Sequence, residues 1–370
     1  MVCPAGVMPA SPEGLRVLVV STPVGVLGSG EGGGIELTLA TLVAGLLERG
    51  HQLTVLAPEG SRLPSSCRSA RLWEVAGIPQ ASWQHRPRSA PVEIPVDALL
   101  PRLWRRALEP RHHFDAILNL SYDWLPFWLT PSCPQPLCHL VSMGSVSEAM
   151  DGVIQEVAAW KPVRLAFHTA AQAADFSLPL PPRLVGNGLD LRRYRFCPEA
   201  GPVLGWAGRI APEKGLEDAV RVAARLGLPL RVWGVSEDPH YRREVEAVAP
   251  AGTIQWQGFL PTDRFQEQLG RCAVFLNTPK WNEAFGNVVV EAMACGVPVA
   301  AYERGGPGEL VHEGVNGALA SPDDVPALAD AVARAGRIER RACRAWVERH
   351  HAQDRFAERI EAWLQEVVRS

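Results

Sequence analysis

The feature that most constrains the fold is the alternation of short apolar runs with helical patterns. An apolar, β-branched run over residues 15–23 leads into a glycine-dense loop, a helical pattern that ends at Gly50, and a second apolar run over 52–58. Strands of a parallel sheet are buried on both faces and are joined through helices, which produces this pattern. The N-terminal part of the chain therefore predicts a parallel α/β unit.

The rest of this first series is less regular. Residues 61–112 are rich in Pro, Trp and Arg and predict irregular structure with one helix near residues 96–108. Further strands are predicted over 114–120, 136–143, 164–169 and 183–188.

A second series of the same kind begins with a strand over residues 202–210 and a helix over 216–227. The alternation continues with strands over 228–235, 253–260, 273–279 and 297–302, a helix over 287–295, and a helical tail from about residue 323. Two series that each restart with a strand, a loop and a helix predict two Rossmann-like domains of an α/β protein. We place these domains at 15–186 and 187–350, with a flexible tail over 1–14 and a C-terminal helix over 351–370.

Composition narrows the class of protein. The chain has 370 residues and a formal net charge of −3, so its charge gives no reason to expect nucleic acid or an anionic membrane as a partner. Eight cysteines without CxxC pairs predict reduced, buried thiols, although a disulfide between Cys133 and Cys138 stays open. The first dozen residues lack the pattern of a signal peptide, and no window resembles a membrane span. We expect a cytoplasmic protein without a transmembrane segment.

The glycine-dense loop precedes the first helix. Glycines at positions 28, 30, 32, 33 and 34 would let backbone N–H groups approach an anion at the helix N-terminus. The loop lacks both the GxGxxG spacing of a dinucleotide site and the Gly-Lys-Ser/Thr of a P-loop. A flexible turn without a ligand therefore remains an alternative.

Two cations follow the first strand of the second series. Arg209 and Lys214 lie in GRIAPEKG, between that strand and its helix. Doubly wound sheets bind ligands at the carboxyl ends of their strands, and a guanidinium with an ammonium suits a diphosphate. The alternative is a pair of solvated surface cations.

Two carboxylates bracket the segment EAFGNVVVE. Glu283 precedes the predicted helix, whose first N–H groups can bind a phosphate, and Glu291 lies inside it. A carboxylate can accept two hydrogen bonds from the vicinal hydroxyls of a ribose or hexose. The alternative is that both are ordinary helix carboxylates.

Together these motifs resemble a known family. GRIAPEKG and EAFGNVVVEAMACGVPVAAYERGGPGELV, preceded by VGNGLD, resemble the retaining, nucleotide-sugar-dependent glycosyltransferases of family four. The resemblance covers nearly the whole chain and implies the GT-B fold, with two Rossmann-like domains facing each other across a cleft. It implies that the N-terminal domain binds the acceptor, that the C-terminal domain binds the nucleotide sugar, and that the last helix returns to the N-terminal domain.

The resemblance also implies roles for single residues. Glu283 would lie near the transferred sugar, Glu291 would bind the ribose, and Arg209 with Lys214 would hold the diphosphate. His139 matches the family's active-site histidine near the sugar, although a satisfied histidine at a strand end is the alternative. The remaining donor contacts would come from the backbone of Phe285, Gly286, Asn287 and Val288, and from Gly33 and Gly34 of the glycine loop.

The acceptor side departs from the family pattern, because LSYDW stands where many members carry His-x-His. The segments VSTPVGVLGSGEGGGIELTLA and HLVSMGSVSEAMD are similar to cyanobacterial UDP-glucose:tetrahydrobiopterin glucosyltransferases, which implies a pterin acceptor. A pterin needs a stacking surface and an acid for its amidine edge, although core packing remains the alternative for each aromatic. The stacking and acidic candidates are Trp124, Phe127, Trp128, Trp160, Asp123 and Asp151, and the acceptor-binding residues implied overall are Glu36, Tyr122, Asp123, Trp124 and Met143.

The implied reaction needs no cofactor beyond the UDP-sugar as co-substrate. Arg209, Lys214 and the helix N-terminus would stabilise the departing diphosphate, and no Asp-x-Asp metal motif is present. We expect same-face attack with the leaving phosphate as base, and His139 orienting the sugar. Alternatives are transfer to another acceptor (a sugar, lipid or secondary metabolite), a non-catalytic nucleotide-sugar-binding protein, or a dinucleotide oxidoreductase.

Overall fold

Two six-stranded parallel sheets form the core of the protein. The computed structural model describes residues 14–29, 33–236 and 238–370. Strand order is β3-β2-β1-β4-β5-β6 in the first sheet and β12-β11-β10-β7-β8-β9 in the second. The fold class predicted from the sequence, two Rossmann-like units of an α/β protein, is confirmed.

The elements alternate along the chain as the apolar pattern requires. The strands are β1 (Arg16–Val20), β2 (Gln52–Pro58), β3 (Arg71–Val75), β4 (Ala116–Asn119), β5 (Leu137–Leu140), β6 (Leu165–Ala166), β7 (Leu204–Ala207), β8 (Leu230–Trp233), β9 (Ile254–Gly258), β10 (Val274–Asn277), β11 (Val299–Tyr302) and β12 (Gly317–Ala320). The helices are α1 (Gly34–Glu48), α2 (Leu99–Ala107), α3 (Trp124–Leu129), α4 (Glu148–Trp160), α5 (Ala170–Ala174), α6 (Leu216–Leu226), α7 (Pro239–Ala247), α8 (Thr262–Leu269), α9 (Asn287–Ala294), α10 (Gly305–Leu310), α11 (Val325–Ala335), α12 (Arg340–His350) and α13 (Gln353–Arg369).

The central strand of the first sheet is covered on both faces. Val17 and Val19 of β1 pack in the cluster that contains α1 and α13, whereas Leu18 and Val20 pack against α2. Side chains alternate between the two faces of a strand, so a continuous apolar run is what a doubly covered strand needs. The second sheet is covered in the same way, by α9 and α12 on one face and by α6 and α11 on the other.

The last helix lies on the first sheet, not on the second. Phe356, Ile360 and Trp363 of α13 are fully buried beside α1, and the indole Nε1 of Trp363 donates to the Val163 carbonyl at 2.7 Å. The chain therefore crosses between the two units twice. The two crossing segments are joined by a backbone hydrogen bond from the Leu189 N–H to the His351 carbonyl, at 2.8 Å.

Several local expectations differ from the structure. Residues 183–188 do not form a strand, and only an isolated bridge joins Phe167 to Leu184. The sequence does not predict the edge strands β3 and β12, because RLWEV contains two charged residues and GALA contains no β-branched or aromatic residue. Cys133 and Cys138 are both free thiols. The tail expected over 1–14 lies almost wholly outside the described residues. Within the described ranges, no helix has the length and apolarity to cross a membrane.

Truncating Trp363 tests how far the first unit depends on α13. The Trp363→Ala variant is expected to lose about 3–5 kcal/mol of unfolding free energy, because it leaves a cavity and removes a buried indole. Urea unfolding followed by circular dichroism measures this loss. Trp160→Ala, at a half-exposed position, is the control and should change stability by about 0.5 kcal/mol or less. Equal losses in the two variants would contradict the packing described for α13.

Candidate active site

The carboxyl ends of the two sheets meet across a cleft. The Thr169 hydroxyl, after β6, donates to the Ala284 carbonyl at 2.8 Å. The Asn282 amide, after β10, donates to Asp175 at 2.9 Å. The Glu309 carboxylate accepts the N–H of Ala170 at the start of α5, at 3.1 Å. Loops from both units therefore form the walls of one cleft.

The N-terminal ends of α1 and α9 face each other in this cleft. The Asn287 amide donates to the Gly34 carbonyl at 3.2 Å, and its oxygen accepts from Asn187 at 2.7 Å. Asn187 also donates to the Thr38 hydroxyl of α1, at 2.8 Å. A Cβ at position 34 would lie 2.7 Å from the Asn287 amide nitrogen, so a side chain there would displace the Asn287 amide.

Among the residues that the structure describes, no side chain caps the start of α1 or of α9. Gly286 precedes α9 with φ of 96°, a conformation that favours glycine, and no side chain caps this helix. Gly33 precedes α1 with φ of 62° and is likewise without a side-chain cap. The Glu36 and Val289 N–H groups bond to the Gly33 and Gly286 carbonyls, which leaves the first two N–H groups of each helix without an intrahelical acceptor. The helix dipoles add positive potential there. The backbone at Asn287 and Val288 therefore lies where an anion would be stabilised.

The carboxylate of Glu36 holds the beginning of the glycine loop. It accepts the Gly28 N–H at 2.7 Å, and the Ser29 hydroxyl lies 3.5 Å from its other oxygen. Glu36 thus shapes the loop, a role that the sequence did not indicate. Gly30 and Gly32 lie outside the described residues.

Lys214 and Glu283 form a half-buried ion pair in the cleft. The Lys214 ammonium lies 2.7 Å from the Glu283 carboxylate and 5.0 Å from the centre of the Trp281 ring. The side chains of the two charged residues are only 18% and 19% exposed, so water screens the pair weakly. The Glu283 carbonyl accepts the Gly306 N–H at 2.7 Å. This last contact fixes Glu283 to the start of α10, which the sequence did not identify as part of the site.

Arg209 also forms an ion pair, with Glu213, which lies four residues further along the chain. Its guanidinium lies 3.4 Å from the Gln84 side-chain oxygen of the first unit. The alternative of solvated surface cations is therefore wrong, because the side chains of Arg209 and Lys214 are 23% and 18% exposed.

Glu291 is buried inside α9, not solvated. Its carboxylate accepts a hydrogen bond from the Tyr194 hydroxyl at 2.7 Å. Burial raises the pKa of Glu291 to about 7, against the lowering effects of the Tyr194 hydrogen bond and the Arg193 charge. Tyr194, which the sequence did not indicate, is the partner that keeps this carboxylate in place.

His139 does not reach the cleft, and its predicted contact with the sugar is wrong. Its ring is fully buried in β5 and stacks on Phe127 with 4.0 Å between ring centres. Its Nδ1 lies 3.0 Å from the Asn119 amide nitrogen, and its Nε2 lies 2.7 Å from the Thr130 hydroxyl. Burial lowers the pKa of His139 to about 3, aided by the charge of Arg164. Both ring nitrogens have hydrogen-bond partners within the core, which agrees with the alternative of a satisfied structural histidine.

The acceptor-side candidates lie together, but mainly as structural groups. Tyr122, Trp124 and Met143 share one apolar cluster at the ends of β4 and β5. The Tyr122 hydroxyl donates to the Gly144 carbonyl at 3.0 Å. Asp123 accepts the Trp124 N–H at 2.8 Å as the cap of α3, and burial raises its pKa to about 6. Tyr122 and Asp123 are 8% and 7% exposed, so their polar atoms shape the loop more than they face solvent.

Two of the proposed stacking aromatics are misplaced for an acceptor. Phe127 is buried against His139 in the core. Trp160 ends α4, which starts at the carboxyl edge of the first sheet and returns to the opposite edge. Trp128 is 55% exposed and stacks on Trp124, with 5.5 Å between ring centres.

The Phe285 side chain points away from the helix start that its backbone forms. It lies 5.8 Å from the His168 ring and 5.5 Å from the His351 ring, centre to centre, at the crossing between the units. These residues line a cavity of about 530 Å³. Burial lowers the pKa of both histidines to about 4, so both rings are neutral at pH 7. The Phe285 side chain therefore anchors the loop that precedes α9, and only the Phe285 backbone faces the cleft.

Comparison with known proteins agrees with this geometry. Residues 192–353 match the family described as glycosyl transferases group 1. This match covers the second sheet and the helices that pack on it.

Similar proteins extend the comparison beyond this domain. A 2-deoxystreptamine glucosyltransferase of Streptomyces kanamyceticus is 38% identical, over 39% of this chain and 38% of its own length. A GDP-mannose-dependent alpha-mannosyltransferase of Mycolicibacterium smegmatis is 27% identical, over 78% of this chain and 81% of its own. Matches to three of the curated relatives span 38%, 33% and 46% of those proteins, less than half of each.

Solved structures show the same fold over almost the whole chain. AviGT4, a glycosyltransferase involved in avilamycin A biosynthesis, matches 96% of this chain and 98% of its own with a TM-score of 0.72 and 22% identity. HepE of Anabaena, solved with UDP-glucose, matches 95% and 100% with a TM-score of 0.71 and 17% identity. The protein therefore has the GT-B fold.

The buried Glu291 carboxyl makes stability depend on pH. Folding raises the pKa of Glu291 from 4.5 to about 7, because burial favours the protonated carboxyl. The free energy of unfolding is therefore highest below pH 4.5 and decreases as the pH rises to 7. Complete ionisation of Glu291 lowers the free energy of unfolding by roughly 3 kcal/mol. Glu291→Gln keeps an acceptor for Tyr194 but does not ionise, so its stability should fall less than that of the wild type between pH 5 and pH 8. Urea unfolding at both pH values measures this, and identical pH dependence would contradict the assignment.

Proposed function

We propose that the protein is a retaining glycosyltransferase that moves a hexose, glucose in the first instance, from a UDP-sugar to a small acceptor. The observation that carries the proposal is the Lys214–Glu283 ion pair, which lies in the cleft on the same segment as the uncapped start of α9. We infer that residues 15–186 bind the acceptor, that residues 187–350 bind the nucleotide sugar, and that the enzyme acts in the cytoplasm.

The two helix starts and the two cations support the proposed binding of the donor diphosphate. Arg209 and Lys214 are each paired with a carboxylate on the cleft wall. A bound diphosphate would compete for these cations, and Lys214 turning toward it would release Glu283 to accept sugar hydroxyls. The start of α9 would add backbone donors at Asn287 and Val288. Glu291 would accept the ribose hydroxyls from its position one turn inside the helix.

The same groups support departure of the leaving group. The acceptor oxygen forms its bond to the anomeric carbon on the face from which UDP departs, while the carbon–oxygen bond to UDP breaks. The acceptor proton passes to the departing β-phosphate oxygen. Fixed positive groups at Arg209, Lys214 and the helix starts stabilise the negative charge that develops there, so the reaction needs no divalent metal.

We propose tetrahydrobiopterin as the first candidate acceptor. The similarity of the N-terminal segments to tetrahydrobiopterin glucosyltransferases supports it, as does the stacked Trp124–Trp128 pair beside Asp123. The relatives act on varied substrates by their names, including 2-deoxystreptamine and inositol 3-phosphate. Transfer to an aminocyclitol such as 2-deoxystreptamine is the second candidate function.

Product analysis tests the proposal directly. The protein is incubated with UDP-glucose or GDP-mannose and a panel of pterins, aminocyclitols, sugars and lipids, with EDTA in every reaction. Mass spectrometry is expected to detect a hexose adduct of one small acceptor with UDP-glucose, and nuclear magnetic resonance should assign the same anomeric configuration as in the donor. An inverted product, or activity that appears only when a metal is restored, would contradict the mechanism.

Removing either member of the ion pair should abolish most of the transfer. Glu283→Gln and Lys214→Ala are each expected to lower kcat about a hundredfold or more, because each removes a charged group from the donor site. Initial rates of UDP release measure the loss, and melting temperatures check that the fold is intact. Lys161→Ala and Glu358→Gln, both away from the cleft, serve as matched controls. Wild-type rates in both cleft variants would rule out the donor-site assignment.

A further inference from the structure

A small polar cavity lies in the cleft beside the Lys214–Glu283 pair. It has a volume of about 280 Å³, and its walls come from both units. The first unit contributes the loop after β5 and Asp175, and the second contributes the loop after β10. The lining residues are Arg88, Gly144, Ser145, Val146, Asp175, Trp281 and Asn282.

The position of the cavity relates it to the donor site. Trp281 and Asn282 immediately precede Glu283 in the chain. The Lys214 ammonium, which pairs with Glu283, lies 5.0 Å from the centre of the Trp281 ring. A molecule in the cavity would therefore lie next to the carboxylate that we assign to the transferred sugar.

The positive charge at the cavity wall is already neutralised. The Arg88 guanidinium donates to the Ser145 carbonyl at 2.7 Å, to the Ser145 hydroxyl at 2.8 Å, and to Asp151 at 2.5 Å. The Ser145 hydroxyl also donates to Asp151, at 2.8 Å. Arg88 and Asp151 thus hold the loop after β5 in place and leave little free positive charge for a ligand.

Asp175 supplies the charge that a ligand would meet. One of its oxygens accepts the Asn282 amide at 2.9 Å. In the part of the chain that the structure describes, no group donates to the other oxygen, Oδ2. A Cβ at Gly144 would lie 3.1 Å from this oxygen and 3.1 Å from the Asn282 carbonyl. A carboxylate oxygen and a backbone carbonyl therefore face the same small space, and both accept hydrogen bonds.

We propose that this cavity binds the acceptor, and that Asp175 selects acceptors whose inward group is an unphosphorylated N–H or O–H donor, neutral or cationic. This inference rests on the proposed glycosyltransferase function. A phosphate or carboxylate in the cavity would lie against Asp175 without a free cation to compensate it, which disfavours acceptors that carry one. The acceptor class is therefore amines, amidines and polyols, not sugar phosphates.

The test compares acceptors that differ in charge. The full-length wild type and the Asp175→Asn variant are titrated calorimetrically, in the presence of UDP, with tetrahydrobiopterin, 2-deoxystreptamine, myo-inositol and inositol 3-phosphate. The wild type is expected to bind at least one of the first three and to bind inositol 3-phosphate at least about tenfold more weakly than myo-inositol. Asp175→Asn should weaken binding of the preferred acceptor about tenfold and reduce the discrimination against phosphate.

Two further variants separate a selective role from a structural one. Gly144→Ala places a methyl group in the cavity and should weaken acceptor binding without changing UDP affinity. Asp354→Asn, on the exposed side of α13, should change neither. UDP affinity and UDP-glucose hydrolysis are measured for every variant, because they report the donor site independently of the acceptor.

The outcomes distinguish the cavity from the enzyme's proposed function. Transfer that continues with unchanged acceptor affinity in Asp175→Asn and Gly144→Ala would overturn the cavity assignment and leave the glycosyltransferase proposal intact. Inositol 3-phosphate binding the wild type as tightly as myo-inositol, or no binding of any unphosphorylated probe, would overturn the selection rule. Failure of the wild type to bind UDP or to use any nucleotide sugar would instead overturn the function itself, and this inference with it.

Discussion

The close approach of α1 and α9 is the constraint on which the cleft depends. Asn287 bonds to the Gly34 carbonyl, and Asn187 joins Asn287 to Thr38, so the first turns of two helices from different units are held together. Each helix brings uncapped N–H groups and the positive end of its dipole to the same place. Neither unit alone would provide this concentration of donors, which explains why the cleft between them is where an anion is best stabilised.

The charges around this point are balanced within the protein itself. Arg209 pairs with Glu213, Lys214 pairs with Glu283, and both pairs are mostly buried. An unpaired cation in such a place would carry a desolvation penalty, which the carboxylates offset. In the proposed function, a phosphate would replace these carboxylates and keep each cation paired. Such a site can remain folded without its substrate and still present strong positive groups to it.

The sequence predicted the central elements well and the edges poorly. Strands such as β1 and β10 are buried on both faces, so their apolar runs are continuous and easily read. The edge strands β3 and β12 lack that signal. Arg209 and Lys214 lie in the cleft, as expected for residues that follow a strand of a parallel sheet. The prediction for His139 is wrong because His139 lies within β5, not after it. Its side chain is therefore buried in the core and does not reach the cleft. Partners from distant segments, such as Tyr194 and Gly306, leave no local pattern.

The proposed donor site and the proposed acceptor cavity share one short segment after β10. Asn282 bonds to Asp175 of the first unit, and the next residue, Glu283, pairs with Lys214 of the second. A molecule between Asp175 and Asn282 would therefore touch the contact that joins the two units, one residue from the donor carboxylate. Tyr122 supports the opposite wall by donating to the Gly144 carbonyl. Because the cavity walls come from both units, a bound acceptor and the Asn282–Asp175 contact would favour each other by the same free energy.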